Sequence, residues 1–139
     1  MSRAELAVSI RQPWAELILQ GRKTIEVRSW DTDHRGPLWL HTGKFADPEL
    51  DRRFGIANPP RGAFVGRIIL ESISPIDPAR WQTWRNLHLD PGGYQPGMLA
   101  WILSSPERLT VPLPAPGKLK LYEVDDALAL HLRGRLASS

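Results

Sequence analysis

The chain contains no cysteine. A disulfide, a thiolate metal site and a cysteine nucleophile are therefore excluded. No apolar run approaches the ~20 residues of a membrane-spanning helix, and no signal-peptide pattern opens the sequence. A cytoplasmic protein with no membrane partner is the resulting expectation. No glycine-rich phosphate loop follows a strand, which argues against a P-loop or a dinucleotide-binding crevice. The four histidines (His34, His41, His88, His131) have no close ligand spacing, so neither a metal site nor a cofactor is expected. Any catalysis must then rest on Lys, Glu, Arg or His.

What is present is 139 residues, 42% hydrophobic and 24% charged, with six tryptophans and a net charge of +3. The length fits one domain, taken as 1–139, and allows about two-thirds of the unfolded surface to be buried. The charge is unevenly placed. Residues 1–70 hold eleven Lys/Arg against eight Asp/Glu, and residues 71–139 hold seven of each. Arginine outnumbers lysine fourteen to four, and its planar fork of donors suits phosphates and base edges. Arg52, Arg53, Arg61 and Arg67 follow one another with no intervening acid. A basic half rich in tryptophan points toward nucleic acid or nucleotides, although +3 is also ordinary for a soluble surface.

Periodicity and turn residues divide the chain. Leu6–Ser9 reads as a strand. Pro13 suits a first helical turn, Trp14, Leu17 and Ile18 share one face of a helix over Trp14–Gln20, and Gly21 is a helix stop. Lys23–Trp30 alternates, with Ile25 and Val27 on one face and Thr24, Glu26 and Arg28 on the other, as in a half-buried strand. Leu38–Thr42 is a strand after the Arg35-Gly36-Pro37 turn. Asp47 and Asp77 each precede a proline and predict capped helices, the second carrying Trp81 and Trp84. Gly62–Ile73 is a long β-rich run, Met98–Ser104 a buried strand, Pro112–Gly117 a proline-rich connection and Leu119–Val124 a last strand. Asp125 predicts the cap of a terminal helix. Short strands between turns favour a small mixed barrel.

Several of these segments carry a resemblance. Ser9-Ile10-Arg11-Gln12-Pro13-Trp14 precedes the first helix, and Gly21-Arg22-Lys23-Thr24-Ile25-Glu26-Val27-Arg28 follows it. The second run is similar to the G-x-K-x-x-E-x-R signature of the activating-signal-cointegrator homology (ASCH) domain. Arg35-Gly36-Pro37 before the strand ending near His41, the Gly62–Ile73 strand, Met98–Leu103 and Pro116-Gly117-Lys118 extend the match over nearly the whole chain. The resemblance implies a mixed α+β, mainly β fold: a PUA-like β-barrel with helices in the connections and a cleft between the first helix and the signature strand. It also implies RNA or DNA binding, and the family includes acetylcytidine amidohydrolases and members that cut single-stranded RNA.

The candidate binding residues are Arg11, Gln12, Arg22, Lys23, Arg28, Trp30, Lys44 and Arg67. Arg11 and Gln12 sit at a helix start, whose free N–H groups favour an anion, though Gln12 also suits a cap. Lys23, if desolvated beside Arg22 and Arg28, becomes a weaker ammonium and a candidate base. Glu26 and Arg28 share a strand face and suit either an ion pair or a base-and-phosphate grip. His41 titrates near neutrality, so Lys23, Glu26, Arg28 and His41 form the candidate catalytic set. Trp30 and Trp39 suit base stacking or the core.

Three functions follow. The leading one is binding of RNA or nucleotides, single-stranded RNA above DNA. The second is metal-independent hydrolysis, by cleavage of RNA or of a modified nucleoside. The amidohydrolase pattern implies Lys23, a threonine at the place of Glu26, and a later glutamate for which Glu71 is the candidate; the threonine is missing. The third is a protein-interaction module using the Trp81/Trp84 helix.

Overall fold

A computed structural model describes residues 4–137. Its elements are β1 (Glu5–Ser9), α1 (Trp14–Leu19), β2 (Ile25–Arg28), β3 (Gly36–Thr42), α2 (Pro48–Arg53), β4 (Ala63–Pro75), α3 (Pro78–Thr83), α4 (Arg85–His88), β5 (Leu99–Pro114), β6 (Leu121–Val124) and α5 (Asp126–Gly134). The fold is mixed α+β and mainly strand. Local chemistry explains the helix starts. The carboxylates of Asp47, Asp77 and Asp125 accept the Leu50, Arg80 and Leu128 N–H at 3.0, 2.7 and 2.8 Å, each satisfying a donor that the first turn leaves free.

The strands form one sheet in the order β2-β5-β4-β3-β1-β6. The expected closed barrel is corrected: among the described residues no ladder joins β2 to β6. The two edge strands, each of four residues, leave the sheet open. The Pro112–Gly117 connection is also shorter than expected, because β5 continues to Pro114. Around Pro112 and Pro114, β5 pairs with β4 on one side, and among the described residues its other side carries a single bridge, Leu109 to Leu136, before them. A residue without an N–H is tolerated where one side of a strand has no ladder to complete.

Alternating side chains sort the core onto two faces. Val8, Leu38, Leu40, Val65, Ile68 and Trp101 pack with Ala15 and Ile18 of α1. Ala7, Trp39, Phe64 and Leu109 pack with Ala129 and Leu132 of α5. A third cluster joins Ile25 and Ala100 to Ile76 and Trp81. Gly66 lets the α1 side approach: a Cβ there would lie 2.3 Å from the Glu107 carbonyl oxygen and 2.6 Å from Leu19 Cδ2.

Trp81 is consequently not available to a partner. It is 1% exposed and stacks on His88 with ring centroids 3.9 Å apart. The Trp81/Trp84 helix offers no tryptophan pair for docking. β1 and β3 run parallel, with Ser9 opposite His41, and the Ile10 N–H donates to the His41 carbonyl at 2.8 Å. Both strands thus end on the same side of the sheet, where the site lies.

Candidate nucleic-acid interface

The polar face of β2 is covered, Glu26 fully and Arg28 in part. Ile25 and Val27 face the third cluster, so Glu26 and Arg28 turn the other way, with Glu26 opposite Trp101. Lys23 stands just before the strand, its N–H donating to the Leu17 carbonyl at the end of α1. Lys23 is 3% and Glu26 6% exposed. The ammonium donates to the His88 carbonyl at 2.6 Å, lies 3.4 Å from Glu26 Oε1 and sits 4.7 Å over the Trp14 ring. Glu26 Oε2 is 3.2 Å from Arg28 Nε, and the Arg28 guanidinium donates to the Ser9 carbonyl at 2.8 Å. Burial pushes the Lys23 ammonium below the usual lysine range, against the opposing pull of Glu26 and Asp90. The corner is a closed ion cluster of two cations and one anion.

The open site lies beside it, joined through Ser9. A groove of about 730 Å³ is lined by Ser9, His41, Lys44, Gly62, the Pro114–Pro116 segment and Lys118. Its walls are largely apolar, with the exposed Lys44 and Lys118 at its margins. The Lys44 stem lies along Gly62, 3.5 Å from where a Cβ would stand. His41 is 2% exposed. One ring nitrogen, Nε2, lies 2.7 Å from the Ala115 carbonyl oxygen, which only accepts, so Nε2 carries the proton. Nδ1 is then the acceptor for the Ser9 hydroxyl, 2.9 Å away. Burial lowers the His41 pKa, partly countered by the Ala115 bond, which favours this neutral tautomer. Burial likewise raises the Tyr122 pKa; its hydroxyl is 3.4 Å from Ser9 Oγ. Gly117 rests on this pair. A Cβ there would be 2.6 Å from both the His41 ring and Ser9 Oγ, so the loop lies this low only without a side chain.

The remaining candidates spread around these two features. Gln12 is 1% exposed; its amide accepts the Glu16 N–H at 2.8 Å and donates to the Pro60 carbonyl at 2.9 Å. It closes the helix start that was expected to hold an anion. The exposed Arg11 guanidinium lies 4.2 Å over the Phe45 ring, next in sequence to Lys44. Arg22 donates to the Phe54 carbonyl. Trp30 meets Trp101 edge-on at 4.7 Å, with the Lys120 ammonium 5.8 Å from its ring. Trp39 is core at 1% exposure. Arg67 does not join the corner: it pairs with Glu107 at 2.8 Å and lies over Trp39 on the α5 face. Glu71 is exposed and bonds the Ser104 hydroxyl. Ser9, Gly117, Lys118, Lys120 and Tyr122 were missed as site residues. The Pro116-Gly117-Lys118 run was the available signal, a lysine held beside a glycine at a turn.

The sequence profile of the ASCH domain matches residues 8–112. The chain belongs to the ASCH-domain family. Among curated proteins, activating signal cointegrator 1 of Mus musculus is 29% identical over 87% of this chain, and its Homo sapiens counterpart is 28% identical over the same share. The chain spans about a fifth of those relatives' length (22%). The crystal structure of ASCH from Zymomonas mobilis superposes with a TM-score of 0.68 at 16% identity, covering 98% of both chains. A serine-to-alanine variant of that protein gives 0.63 at 18% identity, covering 97% of this chain and 98% of that one. These structural matches establish the ASCH fold.

The charge count of the cluster makes a prediction. Glu26→Gln leaves the buried Lys23 ammonium and the half-buried Arg28 guanidinium without their carboxylate and lowers unfolding free energy by about 3–5 kcal/mol, the cost of stripping one partner from a buried ion pair. Lys23→Met leaves the Glu26–Arg28 pair balanced and costs less. Urea unfolding of both variants checks the order, and the reverse order contradicts it.

A second prediction concerns acid. The His41 and His88 pKa values are both lowered by burial. The unfolded chain therefore takes up these protons first, and stability falls as pH drops below about 6.5, the unperturbed imidazole value. Thermal midpoints across pH 4–8 should decline over the acid half of that range. A His41→Asn variant should show a shallower decline; an identical one contradicts the assignment.

Proposed function

We propose that this ASCH-family chain binds single-stranded RNA in the groove between Lys44 and Lys118. The observation that carries the reading is the groove's composition: a glycine- and proline-rich floor between two exposed lysines, with Arg11 beyond one end. A planar base suits the apolar floor, and the lysines suit its flanking phosphates. In this reading Lys23, Glu26 and Arg28 act indirectly. They hold Ser9 and the end of β1 in place, and the anion contacts come from the rim. His41 supports the same reading from beneath, as a neutral ring that fixes Ala115 and Ser9.

Metal-independent RNA cleavage is a second reading, favoured by one observation. His41 Nδ1 stands 2.9 Å from the Ser9 hydroxyl at a groove wall, and with Nε2 committed to the Ala115 carbonyl it is the nitrogen placed to accept a proton, as a general base must.

Fluorescence anisotropy of labelled single-stranded RNA across a salt series tests the binding. Replacing Lys44 and Lys118 by alanine removes two phosphate contacts and flattens the slope of log affinity against log salt by about 1.4. The same slope in the double variant contradicts the groove. Gel analysis of the incubated RNA separates the second reading, which needs products that appear with the parent protein and vanish with His41→Asn.

A further inference from the structure

The loop that closes the groove carries an unusual tip. Leu119 is 92% exposed, and it stands between Lys118 and Lys120. An isolated surface leucine needs no explanation; this one has three features that set it apart. It lines the groove itself. It is the apolar centre of a Lys-Leu-Lys sequence, which suits an occupant with negative charge on both sides. Its support is firm: Gly117 is seated on His41 and Ser9. On the other flank, Lys120 adopts a left-handed conformation (φ 56°) and sets its ammonium over Trp30. An apolar side chain held out to solvent on an anchored turn, with cations two residues apart, has the form of a wedge.

We propose that Leu119 inserts between two adjacent stacked bases of the bound RNA strand and turns one of them into the groove. This rests on the RNA-binding reading and deepens it. Lys118 and Lys120 meet the phosphates on either side of the opened step, and the apolar side chain between them parts the bases. The displaced base enters the groove between Lys44 and Lys118, whose volume of about 730 Å³ lies within the range of small-molecule pockets. The leucine fills the gap left in the stack and so replaces part of the lost base–base contact.

The experiment uses a short single-stranded RNA with one 2-aminopurine between purines, a base whose fluorescence is quenched by stacking. Anisotropy of an end label and 2-aminopurine emission are read in the same titration. The wedge predicts a severalfold rise in emission at saturation with the parent protein. Leu119→Ala should keep the salt slope, since no charge is removed, and lose the emission rise at saturating protein. Because Leu119 has almost no buried contact, its thermal midpoint should match that of the parent protein. Binding without any rise overturns the wedge and leaves the RNA reading intact. An equal rise with Leu119→Ala also overturns the wedge. Absence of binding at every salt concentration overturns the RNA reading itself, and the wedge with it.

Discussion

The site depends on a buried cluster in which one carboxylate serves two cations. Glu26 lies between the Lys23 ammonium and the Arg28 guanidinium. Removing three charges from water is expensive, and their mutual attraction offsets that cost only when the remaining donors are also satisfied. Two backbone carbonyls do part of this: His88 accepts from Lys23 and Ser9 from Arg28, while the buried Arg28 Nε has only its ion-pair contact with Glu26. The cluster therefore ties the end of α1, β2, α4 and the end of β1 to a single point. In the proposed reading its role is positional. Shifting Glu26 would release Arg28 from Ser9, and Ser9 is where the cluster meets the groove.

From Ser9 onward the chemistry changes from ionic to neutral. The Ser9 hydroxyl faces a neutral His41, whose other nitrogen holds Ala115. Gly117 can then lie directly on the pair. This places the β5–β6 loop low over the sheet end and leaves its lysines at the rim. Charge is thus divided by depth. The buried cations are neutralised or spent on carbonyls, and the exposed ones (Arg11, Lys44, Lys118, Lys120) pair with no carboxylate among the described residues, Arg11 and Lys120 lying over aromatic rings. The surplus in the first half of the chain explains only part of this rim, because Lys118 and Lys120 come from the charge-balanced second half.

Much of the fold was legible locally. Asp-Pro pairs marked two helix starts and Asp125 a third, because a short carboxylate before a helix satisfies free N–H groups whatever the tertiary context. The G-x-K-x-x-E-x-R run was legible as a family signature. Its burial was not. Alternation separates Ile25 and Val27 from Glu26 and Arg28, but cannot say that both faces are covered; that depends on Trp14, His88 and Trp101, distant in sequence. The extension of β5 through Pro112 and Pro114 was hidden for a similar reason, since proline is compatible with a strand only where one side lacks a partner. The rim lysines were missed because Pro116-Gly117-Lys118 reads as an ordinary turn until His41 is placed beneath it. The open sheet likewise follows from pairing between distant strands, which local pattern does not encode.

The central claim is that the buried cluster positions the groove and the groove binds the strand. Amide NMR spectra of the ¹⁵N-labelled protein, recorded as a short single-stranded RNA is added, test it most directly. Progressive shifts are expected at Ser9, Gly43, Lys44 and residues 117–120, with residues 81–89 unmoved. Shifts confined to α3 and α4, with the groove amides unchanged at saturation, would contradict it.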